Sequence, residues 1–138
     1  MSIGRKNDKV YNDPAAFEAL TNIERQAKMT AYKPLVFICS PFAGDVTRNV
    51  RKAQWYCRLA VSRNAIPFAP HLLFPQFMDD DDKESREYGI FMGLVLMGKC
   101  QELWCFGDYI SKGMAIELEK AKARNMVIRY FNDHGEEV

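Results

Sequence analysis

From Lys33 onward the chain alternates between short, continuous apolar runs and longer segments with apolar residues at three- and four-residue spacing. The run PLVFICS (34–40) is unbroken and rich in β-branched and aromatic residues, as a strand covered on both faces should be. DVTRNVRKAQWYCRLAVSRN (45–64) reads as a helix capped by Asp45, with Val46, Val50, Ala53, Cys57 and Ala60 or Val61 along its inner stripe. AIPFAP (65–70) is a short second strand ended by proline, and HLLFPQFMDDDD is a loop leading to a helix over about 83–99 capped by Asp82. ELWCFG (102–107) is a third strand, Ser111 caps a helix to about Asn125, and MVIRYF (126–131) is a fourth strand before a polar tail, 132–138. Upstream, DPAAFEALTNIERQAKM opens with Asp13 as cap and Pro14 at the first helical position, with Phe17, Leu20, Ile23 and Ala27 at helical spacing. Residues 1–33 are thus a polar segment and an amphipathic helix that packs on the main domain or on a partner subunit.

Strand–helix alternation with short connections predicts a flavodoxin-like or Rossmann-like three-layer α/β domain over 34–131. Its sheet is mainly parallel, with four to five strands, and the N-terminal helix is an addition to it. Ligands of such sheets bind beyond the carboxyl ends of the strands, at the point where strand order reverses. That rule nominates the loops Ser40–Asp45, Ala69–Phe77 and Gly107–Gly113.

Composition narrows the partners more than the fold. A net charge of +1, with basic residues spread along 138 residues, gives no footprint for a nucleic acid or an anionic membrane surface. The longest apolar run, Ile90–Gly98, is half the length a bilayer requires. Cys39, Cys57, Cys100 and Cys105 form no CxxC pair and lie in apolar segments, which predicts four reduced thiols in a cytoplasmic protein. The first residues lack the apolar core of a secretory signal. With two histidines and no ligand spacing, neither a metal nor another cofactor is expected, and Asp79–Asp82 lack the EF-hand pattern. The helix over 83–99 is apolar around too much of its circumference for one core face, which predicts a homodimer or higher homo-oligomer.

In SPFAGDVTRN, Ser40 supplies a hydroxyl, Gly44 lets a ligand approach, and Arg48 is placed one turn into a helix whose free N–H groups favour an anion. A plain strand-to-helix turn explains the same residues. In GDYISKGMAIE, a capping box would put Glu or Gln at 114; Met114 is there instead, so the helix start is expected to stay open. Gly113 weakens the helix and makes sense if a ligand comes close. Glu117, one turn on, leans back toward the same volume, unless it merely pairs with Lys120 on the surface. His71 is a candidate to bind a base or sugar, or to shuttle a proton.

Three stretches in order, FICSPF, PFAPH and FGDYISKGMAIELEKA, resemble the nucleoside 2-deoxyribosyltransferase-like superfamily, and more closely a bacterial and phage branch known mainly as a domain of unknown function. The resemblance covers about 34–130 and is most specific in the spacing of Ser111, Gly113 and Glu117. It implies Glu117 as the nucleophile that attacks the anomeric carbon of a nucleoside or nucleotide, and Ser111 as a contact to sugar or phosphate. It also implies Ser40, Pro41, Phe42 and Gly44 as the first ligand loop, with Met114 beside them. Two positions depart from the pattern: Phe37 stands where a tyrosine is common. Gly93 falls near an aspartate that helps protonate the leaving base, so that role is open among Asp108, His71 and Glu87. The expected activity is an N-glycosidase or (deoxy)ribosyltransferase on a nucleoside or its 5′-monophosphate, without a cofactor, with a near-normal or modestly raised pKa at Glu117. The alternative is a non-catalytic nucleotide-binding or nucleotide-sensing module.

Overall fold

A computed structural model describes residues 14–79 and 81–138, without the side chains of Pro14, Ala16, Phe17 and Leu20. The chain separates into two units, Met1–Tyr32 and Lys33–Val138. The first holds helix α1, Pro14–Thr30, closed at its end by the Thr30 hydroxyl donating to the Gln26 carbonyl at 2.9 Å. The cap expected of Asp13 and the stripe positions Phe17 and Leu20 lie outside what is described.

The second unit is built on four strands: β1 Leu35–Cys39, β2 Ile66–Phe68, β3 Glu102–Phe106 and β4 Val127–Phe131. All pair in parallel, in the order β2-β1-β3-β4. β1 and β3 are central, and their apolar runs are buried from the second residue onward. β2, with Pro67, and β4, with exposed Val127, take the edges, where a missing donor or a solvated side chain is tolerated. The connecting helices are α2 Val46–Ser62, α3 Pro70–Leu73, α4 Lys83–Met97 and α5 Lys112–Ala123. A 3-10 turn, Phe74–Gln76, follows α3. Asp45 and Asp82 cap α2 and α4, accepting from the amides of Arg48 and Ser85. After α2 and α5, Asn64 and Asn125 adopt left-handed φ of 63° and 57°, the conformation that ends a helix and that asparagine tolerates.

Alternation along the strands sorts the core into two layers. Val36, Ile38, Trp104, Phe106 and Phe131 pack with Tyr56 and Ala60 of α2. Phe37, Cys39, Leu103 and Cys105 pack with Met97 of α4 and Met114, Leu118 and Ala121 of α5.

Two sequence expectations are corrected here, and the tail makes contacts that local periodicity does not show. The buried stripe of α2 is Ala53, Tyr56 and Ala60, while Val46 and Val61 are exposed; two alanines let the helix lie close to the sheet, and the Tyr56 ring fills the space between. The stretch after β2 is not all loop, since Pro70 starts α3 and carries His71 onto it. The tail also folds back: Phe131 bridges Glu137, Arg129 holds the Glu137 carboxylate by two bonds of 2.7 and 2.8 Å, and Gly135 sits against Trp55 and Leu59. Gly135 has φ of 80°, and a side chain there would lie 2.7 Å from the Trp55 ring.

Candidate functional site

With β1 leading to β2 on one side and β3 lying on the other, strand order reverses between β1 and β3. The two loops that leave their carboxyl ends are Ser40–Asp45 and Gly107–Ser111. Gly44 and Gly107 turn these loops at φ of 100° and 111°, a region where a side chain is strained. Asn49 of α2 clamps the first loop by donating to the carbonyls of Phe42 and Ala43 at 3.0 and 3.1 Å.

Glu117 projects from α5 into the layer beneath this edge. It is 7 % exposed, and its Oε1 has no hydrogen-bond partner among the described residues. Burial pushes its pKa up to about 7, and the Cys39 thiol, hydrogen-bonding the carboxyl, opposes that rise. This exceeds the modest shift expected from sequence, because α5 lays the whole side chain into the core rather than along its rim. Lys120 is not its partner.

Cys39 ends β1 directly opposite Cys105 of β3. Its single S–H has three acceptors within reach: the Met114 carbonyl at 3.9 Å, Cys105 and Glu117. The bond to Cys105, burial and the nearby Glu117 charge hold the Cys39 thiol well above the usual range. Burial also pushes Cys57 and Cys100 up to about 11, so neither is activated. All four cysteines are free.

The start of α5 is closed by its own side chains, which corrects the open start expected at Met114. The Ser111 hydroxyl accepts from the Met114 amide at 3.2 Å, and the Met114 sulfur accepts from the Ser111 amide at 3.5 Å. A thioether thus fills the role that a carboxylate usually plays. Met114 itself is buried, whereas a Cβ on Gly113 would meet nothing within 4 Å.

Around the first loop, Ser40 is 1 % exposed with its hydroxyl unpartnered among the described residues. Its carbonyl accepts from His71 Nε2 at 3.0 Å, which places the proton on that nitrogen. The His71 ring stacks on Phe42, with centroids 4.9 Å apart. Ser40, Pro41, Phe42 and His71 therefore gather at one corner of the β1 edge, and Ser111, Gly113, Met114 and Glu117 at the start of α5. Cys39 joins the two groups through Met114 and Glu117.

Arg48 and Asp108 do not join them. Arg48 lines a cleft of about 410 Å³ on α2, with Arg51, Lys52, Trp55, Tyr56, Asp133 and His134. Asp108 is exposed, and its charge acts on Tyr56 rather than on Glu117. Glu87 lies on α4 in a second cleft, of about 530 Å³, with Asp82, Glu84, Ser85, Tyr88 and Phe91. Glu117 lines neither cleft. Gly93 is buried beside Pro70 and brings no carboxylate to that position. Among the described residues no group of His, Cys, Asp and Glu is arranged to hold a metal ion, and no helix is long and apolar enough to cross a membrane.

Sequence reasoning did not single out Cys39, which touches Glu117, or Tyr56, which lines the α2 cleft. Cys39 was legible as a strand-end residue in phase with Phe37, but which helix covered that face was not. Tyr56 falls three residues after Ala53 and four before Ala60, a stripe that competes with the valine stripe in the same segment.

The family model described as Domain of unknown function (DUF7768) matches residues 34–131. No curated protein matches the chain. Among solved structures, a 2-deoxyribosyltransferase from the psychrotolerant bacterium Bacillus psychrosaccharolyticus is similar, at 20 % identity over 75 % of each chain and a TM-score of 0.55. That protein is described as a biocatalyst for the synthesis of nucleosides. The likeness is one of fold.

Proposed function

We propose that this chain, which belongs to the family described as Domain of unknown function (DUF7768), is an N-glycosidase or (deoxy)ribosyltransferase acting on a nucleoside or nucleoside 5′-monophosphate, with Glu117 as nucleophile. The observation that carries the reading is Glu117 itself. A carboxyl group buried at the strand-order reversal, with one oxygen unpartnered and only the Cys39 thiol bonded to it, is costly to the fold.

In this reading the ionised Glu117 carboxylate attacks C1′ as the C1′–N bond to the base breaks, through an oxocarbenium-like transition state. The electron pair of that bond leaves with the base, which takes a proton. Water then hydrolyses the glycosyl ester, or a second base displaces it, the two-step logic of retaining glycosidases. Ser111 and Gly113 border the sugar, and Ser40 the opposite side. Of Asp108, His71 and Glu87, His71 is the proton donor we favour, because its ring is tied to the Ser40 loop, while Glu87 lies in the α4 cleft and the exposed Asp108 acts on Tyr56. The chemistry needs no cofactor. The test is release of base from a panel of nucleosides and 5′-monophosphates. Wild type should release base from at least one, and Glu117→Gln should lower that rate by about 10³-fold or more with the fold intact. Equal rates would remove Glu117 from the mechanism.

The second reading, a nucleotide-binding or sensing module without turnover, is favoured by one observation: Glu117 is closed in and the start of α5 is sealed by Met114. Saturable binding of a nucleotide with no base released from any member of the panel would select it.

A further inference from the structure

Besides Ser40 and Glu117, one more buried side-chain polar atom lacks a partner among the described residues: the phenol oxygen of Tyr56. Tyr56 is 1 % exposed, and its ring is locked by stacking on Phe106 at 4.1 Å, which stacks in turn on Phe131 at 4.7 Å. A buried hydroxyl left unbonded costs about 1–3 kcal/mol. Phenylalanine would fill the same space without that cost. Tyr56 lines the 410 Å³ cleft between α2 and the turn after β4, and two other lining residues, Asp133 and Arg48, are close enough for their charges to act on its hydroxyl.

The walls of that cleft are chemically specific. Arg48, Arg51, Lys52 and Trp55 follow one face of α2 at helical spacing. Lys52 is paired with Asp133 at 3.5 Å, whereas neither guanidinium has an ion pair among the described residues. Two like charges three residues apart repel each other unless an anion lies between them. Trp55, 40 % exposed, offers a flat ring at the far end of the stripe and is backed by Gly135.

We infer that this cleft is a second small-molecule site, apart from Glu117, that binds a nucleoside monophosphate. The phosphate would bridge Arg48 and Arg51 by charge-assisted bonds, the base would lie on Trp55, and an oxygen of the ligand would accept the Tyr56 phenol hydrogen. Lys52 and Asp133, already paired, form its rim. The volume lies within the range of about 300–1,000 Å³ usual for small-ligand sites. The site faces the α2 layer of the core and Glu117 the α5 layer, so each can be occupied or lost without the other.

The experiment is a titration of adenosine 5′-monophosphate into the full chain, followed by amide and indole NMR. The Trp55 indole and the Arg51 and Lys52 amides report on the cleft, and the Ser111 and Gly113 amides on the Glu117 site. The cleft signals should saturate, with affinity reduced about tenfold or more in Arg51→Ala. The same loss of affinity is expected in Tyr56→Phe without any fall in melting temperature, a result a purely structural tyrosine would not give. Adenosine and inorganic phosphate should each bind more weakly than the nucleotide, and Glu117→Gln should leave the cleft signals unchanged. Cleft signals that do not move, that titrate in Arg51→Ala and Tyr56→Phe with the wild-type affinity, or that respond as well to phosphate alone would overturn the assignment. Loss of base release in Glu117→Gln bears on the proposed reaction and not on this site.

Discussion

At the scale of single residues, Glu117 carries the sharpest consequences. Its pKa rises from 4.5 to about 7 on folding, chiefly because burial disfavours the charge. The native state therefore holds the proton more tightly than the unfolded chain. The stability contributed is fully present below pH 4.5 and is lost as pH rises through about 7. Above that pH the ionised group weakens the fold by on the order of 3 kcal/mol. Glu117→Gln is thus expected to melt at a higher temperature than wild type at pH 8 and at nearly the same temperature at pH 4.5; melting curves at the two pH values check this. A nucleophile must be ionised, so base release should climb with pH through about 7. Cys39→Ala removes the hydrogen bond that holds the value down, and should move that rise to higher pH, measured as the midpoint of the rate profile. A rise that stays in place would leave Cys39 as core packing only. The acidic residue was legible in the sequence from its spacing to Gly113. Its environment was not, because burial depends on how far α5 sinks into the sheet.

At the scale of elements, the start of α5 separates a residue kept for the fold from one kept for a ligand. Gly44 and Gly107 have left-handed φ, so their identity follows from backbone conformation alone. Gly113 has no such excuse: it is helical, and a methyl group there would enter open space. Gly113→Ala should stabilise the helix by up to about 1 kcal/mol. If the open space is where the sugar or phosphate lies, the same change should raise KM or abolish turnover. Thermal melts and base-release kinetics on one preparation decide it, and a stabler protein with unchanged kinetics would sever Gly113 from the site. The caps Asp45, Asp82 and Ser111 were readable because each cap uses only residues three apart in sequence. The Met114 sulfur at the same start was not, since carboxylates and amides are the usual partners there. The folded-back tail was hidden for another reason: Arg129–Glu137 and Gly135 against Trp55 are contacts between elements, invisible to local periodicity.

At the scale of the molecule, alternation of runs and stripes was enough to predict the parallel sheet, while strand order, and with it the pairing of the Ser40 and Ser111 loops, came only from the structure. The same scale raises the question of self-association. Of the apolar residues of α4, Met97 is buried and Ile90, Met92 and Leu94 are half-buried, leaving Phe91, Val95 and Leu96 outside with Tyr88. Tyr88, Phe91 and Val95 stand at i, i+3 and i+7, one stripe on the helix surface, and the Tyr88 and Phe91 rings already pack at 5.8 Å. An apolar stripe left to water on a chain of ordinary composition is best covered by its own copy, since a two-fold axis meets it with the same stripe. The carboxylates Asp82, Glu84 and Glu87 beside it would then flank the interface as a polar rim. We therefore expect light scattering to give twice the 15.9 kDa chain mass at high micromolar concentration. Phe91→Lys, an exposed position whose change spares the core, should return the monomer with little change in melting temperature. A wild-type chain that stays monomeric at that concentration would mean the stripe serves no symmetric contact.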